Sequence, residues 1–192
     1  MTPALLRWID AAPQPWRNGG GRTRELLAWP PGAAWRVRVS VADVESDGPF
    51  SSYPGVSRWF AVLQGAGIEL TLAGQKHRLR RGDSPLVFAG DAAADCRLID
   101  GPTRDLNLML RAASGAMVAA VDGAPWLPAA AQCGLYSAVA GRCRADALDI
   151  AVPAQALLWF EQAPPTLAFY AGERPAALIG WWLAATPLEA AP

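Results

Sequence analysis

The chain has 192 residues, of which 52% are hydrophobic and 18% are charged, with 17 basic and 17 acidic side chains. This composition is typical of a globular chain with one substantial core or two smaller ones. Because basic and acidic side chains are equal in number, the net charge does not favour binding to nucleic acid or to a membrane surface. No apolar stretch reaches the roughly 20 residues that span a bilayer. We therefore expect no nucleic-acid partner and no membrane partner.

The cysteines and the single histidine limit the chemistry that the chain can hold. Cys96, Cys133 and Cys143 are odd in number and form no CxxC pair. The N-terminus has no basic segment followed by an apolar run, which is the pattern of a secretory signal. We expect a cytoplasmic protein with free thiols, in which Cys96 fills core space. Because His77 is the only imidazole, no metal and no cofactor are expected.

The most unusual stretch is residues 15–25, in which Gly19, Gly20 and Gly21 follow one another. Three glycines lose much backbone entropy on folding, which indicates that something approaches this backbone closely. The flanking side chains supply donors, a hydroxyl and a carboxylate: Arg17, Asn18, Arg22, Thr23, Arg24 and Glu25. Such a loop can hold a small anion, and the adjoining Trp16 is the tryptophan expected to touch a ligand. The alternative is a glycine corner with solvated arginines.

Two later stretches, residues 35–41 and 105–111, alternate apolar and polar side chains without a fault. This period predicts half-buried β-strands. The polar row of the second strand is Asp105, Asn107, Met109 and Arg111. That row either faces solvent, which is commoner, or looks into a barrel lumen and gives a binding site its polar groups.

Short strands and turns fill the remaining sequence. Residues 47–55 have turn chemistry with two aromatic rings, Phe50 and Tyr53, that are expected to fold back on the core. Residues 58–88 predict an antiparallel meander, and residues 115–131 suit a crossover or linker. Further strands are predicted at residues 134–139, 147–150, 156–160, 166–170 and 177–183. This spacing is typical of an all-β sandwich or barrel.

Five segments in order give the chain a family likeness. They are Pro15-Trp16-Arg17-Asn18-Gly19-Gly20-Gly21 with Thr23 and Glu25, Trp35-Arg36-Val37-Arg38-Val39-Ser40, Asp47-Gly48-Pro49-Phe50-Ser51, Tyr53-Pro54-Gly55 with Arg58, and Asp105-Leu106-Asn107-Leu108-Met109. Together they resemble the HutD/Ves family across about the first 111 residues. The resemblance implies an all-β bicupin, with two antiparallel β-barrel or jelly-roll-like cupin halves, and without the histidine-rich metal motif of enzymatic cupins. We place the halves at residues 1–114 and 115–192.

The resembled family is associated with bacterial histidine utilisation, where regulation through binding of an intermediate such as formylglutamate has been proposed, and with a stress response in its Ves branch. No enzymatic activity is firmly attached to it. The chain is therefore predicted to be a metal-free cupin that binds a small anionic metabolite as a sensor or regulator, with arginines pairing with the carboxylate and the glycine amides donating hydrogen bonds. The predicted ligand-binding residues are Trp16, Asn18, Gly19, Gly20, Gly21, Thr23, Glu25, Arg36, Ser40, Arg58, Asp105, Asn107 and Met109.

Two other functions stay open from the sequence. One is a metal-independent isomerase or hydrolase, with Glu25 or Asp105 as general base and an arginine to steady an oxyanion. The other is a protein-interaction module whose tryptophan-rich second half forms a subunit interface, which leaves a homodimer open.

Overall fold

The structure is a computed structural model that describes residues 2–172 and 178–188. Its strands, in chain order, are β1 Ala4–Arg7, β2 Pro13–Pro15, β3 Gly21–Trp29, β4 Val37–Val44, β5 Gly48–Pro49, β6 Val56–Gln64, β7 Ile68–Leu72, β8 Gln75–Leu79, β9 Leu86–Ala89, β10 Ala94–Leu98, β11 Thr103–Arg111, β12 Ala113–Ala119, β13 Pro125–Trp126, β14 Gln132–Ser137, β15 Gly141–Ala145, β16 Leu148–Val152, β17 Ala156–Phe160, β18 Leu167–Ala171 and β19 Gly180–Pro187. In these ranges the single helix is the 3-10 turn Trp8–Asp10, so the all-β prediction is confirmed. No helix among them is long and apolar enough to cross a membrane.

Contacts divide the chain into two compact units, residues 12–112 and residues 1–11 with 113–192. The first unit holds an antiparallel sheet in the order β2-β3-β4-β11-β6-β9 and a smaller one in the order β5-β10-β7-β8. Both sheets contribute to one hydrophobic core, in which Phe60, Ile68 and Cys96 are buried. Cys96 therefore fills core space as predicted.

The second unit is built in the same way from two antiparallel sheets, β1-β17-β14-β19-β12 and β13-β18-β15-β16. Side chains from both sheets, including Leu135, Phe169 and Trp182, share its core. The N-terminal strand β1 belongs here because it pairs along β17, and this differs from the sequence-based division at residues 114 and 115. Each of the four sheets, as far as the chain is described, has two edge strands and is not closed into a barrel.

Strand prediction failed in three instructive places. The first alternating strand begins at Val37 rather than at residue 35, and both of its faces are buried, because Arg38 and Ser40 lie inside the protein as well. The segment assigned to a linker, residues 115–131, contains most of β12 and all of β13. Six further strands were not predicted: β1, β2, β3, β5, β10 and β15. Residue 177, the predicted start of the last strand, lies outside the described residues.

Candidate functional site

The central strands of the six-stranded sheet carry a grid of polar side chains on one face. The register places Met109 of β11 between Arg38 of β4 and Arg58 of β6. The adjoining row, two residues along each strand, is Ser40, Asn107 and Phe60. Since side chains alternate between the faces of a strand, both rows point the same way, and directly opposite Cβ atoms lie about 5 Å apart.

These rows line a cavity of about 490 Å³ within residues 12–112. Its wall combines guanidinium groups, amides, hydroxyls and aromatic rings from Gln14, Pro15, Trp16, Arg17, Asn18, Thr23, Arg38, Ser40, Ala42, Pro49, Phe50, Ser51, Tyr53, Arg58, Phe60, Asn107 and Met109. The volume falls in the range of about 300–1,000 Å³ that small-molecule sites occupy. Of the polar row of β11, Asn107 and Met109 line this cavity, while Asp105 is buried without lining it and Arg111 is half-buried at the end of the strand.

Arg58 is one of two buried cations of this wall, with Arg38. Its Nη2 donates to Oδ1 of Asn107 over 2.8 Å, and the guanidinium lies 5.3 Å from the ring centroid of Phe50, 6.0 Å from that of Tyr53 and 5.0 Å from that of Phe88. Such cation–π contacts stabilise a cation without neutralising it.

No carboxylate of the described residues lies within salt-bridge distance of Arg58, and its Nε is buried without an acceptor. Burial lowers the pKa of Arg58 to about 10, with a smaller lowering by the like charge of Arg38 and an opposing effect of Tyr53. The group stays protonated at neutral pH. It is therefore an uncompensated positive charge with an unused donor.

Arg38 differs from Arg58 because it has a counter-charge. Its Nε donates to Oε2 of Glu25 over 2.7 Å, with 10% of the Arg38 side chain and 35% of the Glu25 side chain exposed. Its Nη1 lies 3.6 Å from Sδ of Met109. Glu25 thus neutralises and orients Arg38, while Arg38 itself reaches the cavity wall.

Aromatic rings form an apolar side of the cavity. The indole Nε1 of Trp16 donates to Oγ1 of Thr23 over 2.8 Å, which fixes the ring beside the cavity. Phe50 packs edge-on against Trp16 at 6.2 Å between centroids and lies 5.6 Å from Phe60. Phe50 and Tyr53 also pack against buried clusters, as predicted for the loop that holds them. An organic ligand would find both a flat apolar wall and a cation here.

The glycine stretch forms the hairpin turn between β2 and β3. The amide of Gly19 donates to the carbonyl of Trp16 over 3.0 Å, and the amide of Gly20 donates to Oδ1 of Asn18 over 3.1 Å. Gly19 has a φ of 72°, in the left-handed region that favours glycine. Because both amides already have acceptors within the turn, the prediction that they donate to a ligand is not supported by this geometry.

Gly21 explains the close approach that three glycines indicated. A Cβ atom at this position would overlap the carbonyl oxygen of Asp43 on the neighbouring strand β4. The backbone that comes close is therefore the chain's own, and not a ligand. The prediction that something approaches this backbone closely therefore holds at Gly21, where the neighbour is strand β4.

The structure brings seven of the thirteen predicted site residues to the cavity wall: Trp16, Asn18, Thr23, Ser40, Arg58, Asn107 and Met109. Six others do not line it: Gly19, Gly20, Gly21, Glu25, Arg36 and Asp105. Arg36 precedes β4, where its amide donates to the carbonyl of Trp29 and its own carbonyl accepts from Arg111. Arg38, two residues further on, takes the place that was assigned to Arg36.

Asp105 is fully buried on β11, two residues before Asn107, which lines the cavity. The hydroxyl of Thr103 donates to its Oδ2 over 2.8 Å, and its Oδ1 has no hydrogen-bond partner. Burial raises the pKa of Asp105 to about 8, with the Thr103 hydrogen bond opposing and the charge of Asp43 adding to the increase. The group is thus mostly protonated at neutral pH. Because neither it nor Glu25 lines the cavity, the geometry does not favour either as a general base.

Several wall residues were missed by reasoning from sequence. Arg38 shares the two-residue period of Ser40, so the same alternation could have found it. Phe50, Ser51 and Tyr53 belong to a turn segment whose place beside the sheet no local pattern encodes. Arg17 was noted as a donor but left out of the predicted set, although it lies at the exposed edge of the wall.

The donors on the wall do not suit a metal ion. The lining side chains include no His, Cys, Asp or Glu, which are the residue types that metal ions prefer in proteins. Across the described ranges, no group of three such residues lies close enough together to hold a metal. The cavity instead presents cationic and neutral donors, which recognise anions.

The fold and its cavity define a cupin-type protein. The structure of a cupin 2 conserved barrel domain protein from Leptotrichia buccalis matches with a TM-score of 0.57 and 10% identity over 97% of both chains. HutD from Pseudomonas fluorescens SBW25 matches with a TM-score of 0.80 and 26% identity, over 96% of this chain and 98% of that one. The family model described as HutD matches residues 9–175, so this chain belongs to the HutD/Ves family.

Curated relatives match over a shorter region. An uncharacterised 21.2 kDa protein in the hutC 3′ region of Pseudomonas putida is 38% identical over 109 residues, which cover 55% of this chain and 56% of the relative. Protein Ves of Citrobacter koseri is 40% identical over 114 residues, which cover 55% of this chain and 58% of the relative. The chain thus spans little more than half the length of these curated relatives.

Proposed function

We propose that this chain binds a small anionic metabolite in the cavity of residues 12–112 and acts as a sensor or regulator. The observation that carries the proposal is the state of Arg58, a buried cation whose Nε has no acceptor and which has no carboxylate partner among the described residues. A buried charge without a counter-ion is costly. A ligand carboxylate would compensate it with charge-assisted hydrogen bonds.

The surrounding side chains support the same proposal. Asn107 orients the Arg58 guanidinium, while Asn18, Thr23 and Ser51 supply neutral polar groups at other points of the wall. Convergent polar groups beside aromatic rings are typical of small-molecule sites. The wall lacks an acidic or imidazole side chain for proton transfer, so binding is better supported than the isomerase or hydrolase alternative.

The finer features of the proposal rest on fold and family. Two units, each with two antiparallel sheets and its own core, support a bicupin architecture. A metal-free site is supported by the donor set of the cavity wall. The link to histidine utilisation is supported by the names of the Pseudomonas relatives, HutD and the protein of the hutC 3′ region. The homodimer and the cytoplasmic location stay predictions.

Titration calorimetry with a panel of small carboxylates tests the proposal. The panel should include formate, acetate, glutarate, urocanate and N-formylglutamate, with the matching amides or alcohols as uncharged controls. Saturable binding of at least one carboxylate is expected, with a loss of at least about tenfold in Arg58→Met, equivalent to one lost charged hydrogen bond. Arg142→Met is the matched control, because Arg142 is exposed and pairs with Asp149 in the other unit. Absence of binding across the panel would contradict the proposal.

A further inference from the structure

Two buried arginines line the cavity but one carboxylate pairs with them, so one arginine has no counter-charge. Arg38 and Arg58 are both buried and flank Met109 on neighbouring strands. One carboxylate, Glu25, lies within salt-bridge distance of this pair, and it contacts Arg38. We propose that Glu25 determines the charge of the ligand: by neutralising Arg38 it leaves Arg58 as the single uncompensated buried cation, so that the cavity selects molecules with one carboxylate. This inference rests on the proposed function.

The geometry ties Glu25 to Arg38 and not to Arg58. Glu25 lies on β3, which pairs with β4, and its Oε2 accepts from Nε of Arg38 over 2.7 Å. Arg58 lies two strands away from β4, across β11, where its Nη2 is held by the amide of Asn107. An amide accepts a hydrogen bond but supplies no negative charge. The cluster of Arg38, Arg58 and Glu25 therefore has a net charge of +1, counted from these three side chains.

A second carboxylate on the ligand would have no uncompensated buried cation to pair with, because Arg38 is already paired with Glu25. The remaining arginine of the wall, Arg17, is exposed at its edge, where water and salt screen its charge. The other wall groups are neutral amides, hydroxyls and aromatic rings. Burial of a second charge against such groups carries a desolvation cost that its attraction to Arg17 would not offset. A neutral polar group at that end of the ligand avoids this cost.

Pairs of ligands that differ only by one charge test the inference. Glutarate is compared with glutarate monoamide, and terephthalate with terephthalate monoamide, because an amide replaces a carboxylate with little change in shape. Calorimetry on the 192-residue chain at pH 7 is expected to show each monoamide binding about tenfold more tightly than its diacid, the ratio that about 1.4 kcal/mol produces. Diacids that bind as tightly as, or more tightly than, their monoamides would overturn the inference.

Variants of Glu25 provide the second half of the test. Glu25→Gln removes the counter-charge of Arg38, and the ratio of monoamide to diacid affinity is expected to shift about tenfold or more toward the diacids. The double variant Glu25→Gln with Arg38→Met returns the cluster to one uncompensated cation, so the preference for monoamides is expected to return even if the single variant folds poorly. Glu69→Gln is the charge-matched control, since Glu69 pairs with Lys76 on the other sheet of this unit.

The possible results distinguish a failure of this inference from a failure of the proposed function. If neither glutarate nor terephthalate nor their monoamides bind to the wild-type chain while another carboxylate does, that carboxylate is compared with an analogue that carries one more carboxylate, and an analogue that binds as tightly overturns the inference. If the Glu25→Gln ratio matches that of the wild type, Glu25 does not determine ligand charge, although anion binding itself still stands. If no carboxylate binds at all, the proposed function fails and the inference fails with it.

Discussion

Arg58 donates a hydrogen bond from Nη2 to Oδ1 of Asn107 over 2.8 Å, and both side chains are buried. The partner is an amide, so it orients the guanidinium and leaves its charge intact. A carboxylate in the same place would form an internal ion pair of nearly the same shape. The amide therefore leaves a buried positive charge available in the cavity.

Asn107→Asp should abolish carboxylate binding while the fold is retained. The new carboxylate would lie at hydrogen-bond distance from Arg58 and neutralise it, so affinity in calorimetry should fall at least about tenfold. Thermal unfolding should show an unchanged or higher midpoint, because the buried charge gains a partner. Asn107→Leu is the control, since it removes the amide without adding charge. A variant Asn107→Asp that binds carboxylates like the wild type would show that Arg58 is not their partner.

Arg58→Met should weaken carboxylate binding without lowering the free energy of unfolding. Methionine fills a similar apolar volume and removes a charge that has no counter-ion, so the free energy of unfolding should stay within about 1 kcal/mol of the wild type or increase. Arg104→Met provides the contrast, because Arg104 pairs with Asp43 over 2.7 Å with both side chains partly buried, and its loss should lower stability. Chemical denaturation measures both variants. A large loss of stability in Arg58→Met alone would mean that its cation–π contacts outweigh its desolvation.

Stability should fall as the pH rises through the range in which Asp105 titrates. The folded pKa of about 8 lies above the ordinary value of 3.8, so the folded state holds the proton more tightly than the unfolded chain between those values. Each such group contributes a slope of at most about 1.4 kcal/mol per pH unit. Denaturation at pH 5, 6, 7 and 8 should show this decline, and Asp105→Asn should flatten it. Asp95→Asn, an exposed site on β10, should leave the slope unchanged.

Gly21→Ala and Gly19→Asn should differ sharply although they lie two residues apart. A Cβ at Gly21 overlaps the Asp43 carbonyl, so the alanine must displace β3 from β4 and should cost about 2 kcal/mol or more. No atom lies within 4 Å of a Cβ at Gly19, and asparagine tolerates its left-handed backbone, so that cost should stay below about 1 kcal/mol. Denaturation curves compare the two. Equal costs would mean that the contact with β4 is not what requires glycine.

The sequence alone determined the features that local chemistry encodes. Period-two alternation identified β4 and β11, and turn residues marked the meander around β6 to β9. Four of the five strands predicted in the second half lie within two residues of the observed ends. The motif segments identified the family, and they also contained Arg58, Asn107 and Trp16, which line the cavity. These successes rest on interactions between near neighbours in the chain.

Only the tertiary structure decided which of those side chains meet. Alternation placed Asp105 and Asn107 on one face, but the register of β11 between β4 and β6 put the amide at the cavity and the carboxylate in the core. The role of Gly21 depends on Asp43, and the counter-charge of Arg38 is Glu25 on another strand. Strand pairing joins residues far apart in sequence, so burial, charge balance and pKa come from contacts that no local pattern contains.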